Sequence, residues 1–541
     1  MMLSTRFSTG FLLGKNFFCG NVVLNPVPNP VLSVRVYRRG LSSLWRRLER
    51  LEAIELESSE KTIVYECAKI LAEVSGLPRN KTYQRITPRT EEELKAIKDL
   101  YEAIKARSID DLRDPVVFCS TFLNWRPLKY QDALLRDISR QVAVRWCRQS
   151  GKTTTFAAKA IHFCVTKPGS QALITSPGLR QSMIVSDKIE DHLNRMNPVA
   201  KRAWVRKTQR QTIAFHNGSR VKALPYSLHR LRGETCDLIF VDEAAFIRED
   251  EILFDNVLKP MLATRWSRGA QLIASSTPWG KGNMFYRFCK DPIISKDWSQ
   301  HHVTWRGPVE GGLIPNEFIE VQRRSISSER FMREYEAEFV EDADSYLPQD
   351  LIARCTDPDL EYWSFEDVVR GRELYGGLDL GKKMDHSVYA VVEKIGDELK
   401  LKHLKHFPLE TAYASIIGYV KITSERWQTS YRVSVDQSGV GEYIVEDMVR
   451  AGIPNVEGVT LTMPKKEEIL SYLKQQMLQT KLKIPYDQEL IAELNIEKYE
   501  LTKDGHIRFS HPEGTHDDRL WALALAAYAS RTKGTGVVAA I

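Results

Sequence analysis

Short apolar runs separated by polar stretches predict alternating strands and helices along most of this chain. QVAVRWC (141–147) is apolar enough for a buried strand, and TTTFAAKAIHFCV (153–165) suits a helix. LIFV (238–241) predicts a buried parallel strand, and LIASSTP (272–278) another strand. Residues 375–407 predict three successive strands with a turn at Gly396–Asp397. YRVSVDQSGVG (431–441) predicts a strand ending at Asp436, and THDDRLWALALAAYA (515–529) an apolar helix begun by Asp517 and Asp518. Ahead of the first strand, EEELKAIKDLYEAIKARSI (91–109) has a helical pattern, with Pro88 and Thr90 as its start signal.

Between the first strand and its helix stands RQSGKTT (148–154), a phosphate-binding loop in which Trp146 occupies the place of the usual first glycine. Strand, loop and helix follow in the order that the motif needs. Backbone N–H groups of Arg148, Gln149, Ser150 and Gly151, with Thr154 just beyond, are expected to cradle phosphate at a helix N-terminus. Lys152 would reach the β- and γ-phosphates, and Thr153 would hold Mg²⁺. Asp242 and Glu243 end the LIFV strand, placing one acid for Mg²⁺ and one to polarise an attacking water. Ser275, Ser276 and Thr277 close the next strand, where small hydroxyls can sense the γ-phosphate. Tyr130 and Gln131 either contact adenine or merely open a helix.

The second half carries a different set of acids. Asp379 sits in the first of its strands, Asp436 ends a later one, and Asp517 and Asp518 open the last helix. The element order is that of an RNase H-like fold, in which these positions converge at one sheet edge. Carboxylates gathered in one place need cations, and two Mg²⁺ or Mn²⁺ roughly 3.5–4 Å apart would suit in-line phosphodiester cleavage. Sequence alone does not separate Asp517 from Asp518. Asp385, near the first strand, fits a solvated turn better than the metal site.

With RQSGKTT, IFVDEA (239–244), SSTP (275–278), GLDLG (377–381), SVDQSG (434–439) and HDDRLWALALA (516–526) in hand, the chain resembles terminase large subunits. SSERFMREYEAEFVED (327–342) is similar to that family's connection between its two domains, and the likeness spans roughly 115–530. The resemblance implies a RecA-like P-loop ATPase domain, a parallel sheet with helices, followed by an RNase H-like nuclease domain, a mixed sheet with helices. It implies ATP hydrolysis with Mg²⁺ that drives double-stranded DNA through a portal into a procapsid, and a two-metal endonuclease that cuts concatemeric DNA. Arg148 would contact phosphate, and Ser275, Ser276 and Thr277 would couple hydrolysis to motion. A small terminase subunit, a homo-oligomeric ring on the portal, and a place in the host cytoplasm, docked transiently on the procapsid but outside the mature virion, follow from the same likeness. Arg145, Arg230 and Arg232 are candidates for an arginine finger donated to a neighbouring subunit, with DNA contact as an equal reading for Arg230 and Arg232.

The expected layout is a basic arm at 1–48, a helical extension at 49–112, the ATPase at 113–345, a linker at 346–372, the nuclease at 373–534 and a flexible tail at 535–541. The arm has no acidic residue. It reads as disordered, although its composition also fits a transit peptide, or a start assigned too far upstream. A net charge of +7 is mild for a DNA-binding protein of 541 residues, but suits a motor that grips phosphates transiently. The basic run VRKTQR (205–210) either touches backbone or is a solvated face, and His301–His302 reads as surface. Eight scattered cysteines without C-x-x-C spacing argue against zinc and for a reducing compartment. No stretch is apolar for long enough to span a membrane. An ATP-dependent translocase or a recombination or repair nuclease unconnected with packaging is the alternative. A helicase needs a second motor domain, and too little chain follows Thr277 for one.

Overall fold

The computed structural model describes residues 54, 56–209, 211–226, 231, 233–247, 249–340, 345–381, 386–427, 430–438, 443–453, 455–501, 507–511 and 515–531. The arm 1–48, the tail 535–541, Arg230, Arg232 and Asp385 lie outside the described residues.

The first sheet has eight strands: β1 (Gln141–Trp146), β2 (Gln171–Ser176), β3 (Val205–Gln209), β4 (Thr212–Phe215), β5 (Arg220–Pro225), β6 (Leu238–Val241), β7 (Gln271–Ser275) and β8 (Ser299–Val303). Their order is β3-β4-β5-β2-β6-β7-β1-β8. From β5 to β8 every neighbour is parallel, and β3, β4 and β5 are antiparallel. The central strands are apolar without alternation because helices cover both faces of such a sheet. Every residue of β6 and β7 is buried. Because β7 lies between β1 and β6, the loop after β1, the serines after β7 and the acids after β6 share one edge.

Helices Ser58–Ser75, Pro115–Phe122 and Lys129–Arg136 precede this sheet. Phe118 stacks on Trp204, whose indole N–H donates to the Leu71 carbonyl at 3.1 Å, so helix Ser58–Ser75 is packed against the segment that leads into β3. VRKTQR begins as strand β3, whose residues Arg206–Gln209 are exposed. His301 and His302 lie on β8, one bonded to Asp137 and the other to the Glu336 carbonyl.

The second sheet contains β9 (Glu373–Asp379), β10 (Val388–Ile395), β11 (Glu398–His406), β12 (Ser430–Asp436), β13 (Val456–Val459) and β14 (Leu482–Lys483), in the order β13-β12-β9-β10-β11-β14. β9, β10 and β11 form an antiparallel meander that turns at Gly396 (φ 61°), while β12 runs parallel to β9. A separate hairpin, β15 (Lys498–Leu501) with β16 (Ile507–Ser510), stands outside the sheet. The fold is therefore α/β, with a mainly parallel P-loop sheet and a mixed RNase H-like sheet.

Both sheets belong to one compact unit, formed by Glu57–Thr87 and Lys95–Ile541. The segment 346–372 holds a helix, Gln349–Cys355, and Thr356 bridges to Ile484. The other unit comprises 1–56 and 88–94, and within it the Thr90 hydroxyl accepts from the Glu93 N–H at 3.2 Å, the cap that the start signal predicts.

Helix Asp518–Ala529 crosses β9 at Gly377, where a Cβ would collide with the backbone of Ala522 and Ala526. Neither partner there is a flexible side chain. Gly377→Ala should therefore cost about 1–3 kcal/mol by overpacking and lower the thermal midpoint. An unchanged midpoint in differential scanning calorimetry would show that the helix does not seat on that glycine.

Candidate functional site

The phosphate loop turns left-handed at Gln149 (φ 59°) and Gly151 (φ 79°) before helix Lys152–Thr166 begins. Position 146 needs no glycine: it is the last residue of β1, and the Trp146 ring is buried edge-on against Tyr130, 4.9 Å between centroids. Gly151 is required, because its φ is positive and a Cβ would lie 2.8 Å from the Gln131 amide nitrogen. The Ser150 carbonyl accepts from Tyr130 Oη at 2.8 Å and from Gln131 Nε2 at 3.3 Å. Gln131 Oε1 accepts from the Leu128 N–H at 2.8 Å, so this pair braces the loop. Lys152 is buried, with Nζ donating to the Trp146 carbonyl at 3.1 Å and the Cys147 carbonyl at 3.4 Å.

Across the sheet edge, Asp242 and Glu243 follow β6, both buried. Burial raises both carboxyls, Glu243's charge raises Asp242 further, and Lys152 opposes the shift at each. The Thr153 hydroxyl also bonds Asp242. Ser276 Oγ donates to Glu243 Oε2 at 3.1 Å, while the Ser275 hydroxyl is buried without a partner among the described residues. Lys152, Thr153, Thr154, Glu243 and Thr277 share the lining of a cavity of about 430 Å³.

On the second sheet, Asp379 ends β9 and Asp436 ends β12, and the pairing of Val435 with Leu378 brings the two acids side by side. Asp518 opens the helix lying on β9. Burial, then the charges of Asp518, Asp436 and Asp517, hold the Asp379 carboxyl well above its usual range, against a weaker pull from Lys466. Asp436 accepts from Ser438 through one oxygen. The adjacent pair at the helix start diverges. Asp518 Oδ2 accepts from the His386 N–H at 3.3 Å, whereas Asp517 accepts from Trp521 Nε1 at 2.7 Å and meets His511 at 3.3 Å. Asp517, His511 and Glu497 could together place three ligand atoms within 4.8 Å of one another.

The N-terminal family model of T4likevirus-type terminase large subunits matches residues 147–354. The terminase large subunits of Thermus phage G20c and Thermus virus P23-45 are 27% and 26% identical to this chain over 435 and 436 residues, 75% of this chain and 87% of each relative. The matched family model and both of these relatives are terminase large subunits, and it is to them that this chain is similar. The solved large terminase of the HK97 bacteriophage is 13% identical, covers 76% of this chain and 98% of its own, and superposes with a TM-score of 0.35.

Beside the phosphate loop, Arg148 donates its N–H to the Glu334 carbonyl at 2.7 Å, its guanidinium lies 3.5 Å from the Glu334 carboxylate, and it also donates to Gln488 Oε1 at 3.5 Å. Glu334 ends helix Ser328–Glu334, so the connecting segment runs beside the phosphate loop. Arg145 faces its own chain: NH1 bonds the Ala337 carbonyl at 2.9 Å and Glu338 at 2.6 Å. Sequence reasoning missed Gln488, which carries no motif, and the cluster of His386, His406 and His516 beside Asp518.

A carboxyl raised in the folded state binds its proton more tightly there than in the unfolded chain. Stability is then greatest while Asp379 is protonated, and it falls as pH climbs from the unfolded value of about 3.9 through the raised folded one. In EDTA the thermal midpoint should fall as pH rises above the unfolded carboxyl value of about 3.9. Asp379→Asn should soften the fall, and Mg²⁺ should rescue the parent protein but not the variant. A variant whose midpoint follows the parent at every pH, with and without metal, would refute this.

Proposed function

We propose that this chain is the ATPase and nuclease of a viral DNA-packaging machine. One observation carries the reading: a phosphate loop facing buried Asp242 and Glu243, and an acidic edge of Asp379, Asp436 and Asp518, are built into a single compact unit. The named relatives are terminase large subunits, which supports the same assignment.

At the first site, loop N–H groups and Lys152 would hold the phosphates, and Thr153 with Asp242 would hold the Mg²⁺ that accompanies ATP. Glu243 takes a proton from water as its oxygen attacks the γ-phosphorus and the bond to ADP breaks. Lys152 now spends its charge on two carbonyls, so ATP binding exchanges those weak acceptors for phosphate oxygens. Ser276 links Glu243 to the end of β7, a direct route by which loss of the γ-phosphate is felt by the sheet.

At the second site the donor set fits hard divalent cations: oxygen ligands only, with Asp379 costly to ionise without compensation. Asp379, Asp436 and Asp518 would hold two Mg²⁺ or Mn²⁺, and the bound ions would supply the positive charge for activating water and stabilising the leaving oxygen. Asp517 supports Asp518 from the adjacent position, turned toward His511. The substrate is double-stranded DNA, moved through the portal of a procapsid by a ring of these subunits, with a small subunit as recruiting partner, in the host cytoplasm.

Glu243→Ala should lower ATP turnover by about 10²-fold or more and leave metal-dependent plasmid cutting intact. Asp379→Ala should do the reverse, read by phosphate release and by agarose gel. If folded Glu243→Ala lost both activities, the two-site division would be wrong. If Asp379→Ala cut DNA as well as the parent, the nuclease assignment would be.

A further inference from the structure

The cavity at the phosphate loop is closed on one side by helix Gln488–Ile496, which belongs to the nuclease half of the sequence. Asp487 caps this helix, accepting from the N–H groups of Glu489 and Leu490. Its remaining faces are fixed: Leu490, Ile491 and Leu494 are buried, and Glu489 and Glu493 both pair with Arg519. Gln488 therefore projects from a firm base.

Its amide reaches the centre of the ATPase site. Nε2 donates to Glu243 Oε1 at 3.1 Å and to Tyr486 Oη at 3.0 Å, and Oε1 accepts from Arg148 at 3.5 Å. Ser276 already donates to the other Glu243 oxygen at 3.1 Å. Each oxygen of the group that must take a proton from water thus holds a protein donor. Such hydrogen bonds stabilise the carboxylate form, fix its orientation and weaken it as a base. Arg148 is drawn aside by the same amide and by Glu334.

We propose that Gln488 is a restraint on ATP hydrolysis, supplied within the same chain by the nuclease half. It holds Glu243 and Arg148 in a resting arrangement, and turnover requires this contact to break. A subunit not engaged in packaging would in this way hydrolyse slowly although its phosphate loop is complete. The proposal rests on Glu243 being the base of the ATPase reading above.

The test uses the full chain with Gln488→Leu, which keeps the volume and removes both polar atoms, and with Gln488→Ala. ATP turnover is measured without DNA or procapsid, with melting curves to establish folding. Loss of one hydrogen bond to the base should raise kcat about 3- to 10-fold, with KM changed by less than about twofold. A kcat at or below the parent value in folded variants overturns the restraint, since Gln488 would then be a packing residue or an aid to catalysis. Glu243→Gln separates the two ideas. If it keeps parental turnover, the ATPase reading itself fails. If it is inactive and the Gln488→Leu/Glu243→Gln double variant is also inactive, the gained turnover passes through Glu243. A double variant that retains the gain overturns the proposal.

Discussion

Carboxylates at the C-terminal ends of buried strands set the terms for both sites. A parallel strand covered on both faces must be apolar along its length, and its end is where a polar group can first be presented. Asp242 and Glu243 follow β6, Asp379 ends β9 and Asp436 ends β12. In each case the surroundings that make the strand stable make the acid's charge expensive. The two sites meet this cost differently. Beside β6, Lys152 offsets part of it, and Ser276 and Gln488 donate to Glu243. At the edge of β9, three further carboxylates face Asp379, with a weaker opposing pull from Lys466. The first site offsets its acids with the protein's own donors, whereas the charge at the second would call for cations under the proposed function.

That distinction also explains the unusual loop. A first glycine matters where the backbone must turn or approach phosphate closely, and here the turning is done at Gln149 and Gly151. Trp146 contributes its carbonyl to Lys152 and its ring to the core beside Tyr130. Tyr130 and Gln131 in turn hold the Ser150 carbonyl, so the loop is braced from behind by the helix that precedes β1. The Trp146 ring packs the end of β1 against Tyr130, while the chain turns at Gln149 and Gly151.

Much of this was legible in the sequence, for local reasons. The apolar runs before Asp242, Ser275 and Asp379 are short, uninterrupted and followed at once by polar residues, so strand ends and site residues could be read together. The meander 375–407 announced its turn at Gly396. What was missed depended on distance along the chain. Strand β8 contains His301 and His302 and lacks an apolar run, yet it pairs beside β1. Strands β13 and β14 are four and two residues long, too short for periodicity to register. Asp517 and Asp518 are adjacent and alike in sequence, and only the folded helix start turns one toward His511 and the other toward His386. Tyr130 and Gln131 were open to two readings, since a side chain that braces a loop from a neighbouring helix leaves no local trace.

Helix Gln488–Ile496 shows most directly why two activities share one chain. Gln488 at its first turn touches Glu243, and Glu493, five residues on, binds both the backbone and the guanidinium of Arg519, the neighbour of Asp518. At about 1.5 Å per residue that separation is roughly 7.5 Å of rigid helix. A packed helix answers a push at one end by moving as a body, because its side chains cannot be compressed independently. Under the proposed function, a displacement of Gln488 would reach Arg519, next to Asp518, through this helix, and any such coupling would be reciprocal. If the proposed function holds, a single helix with one side chain on Glu243 and another on the neighbour of Asp518 is a physical means of making pumping and cutting depend on each other.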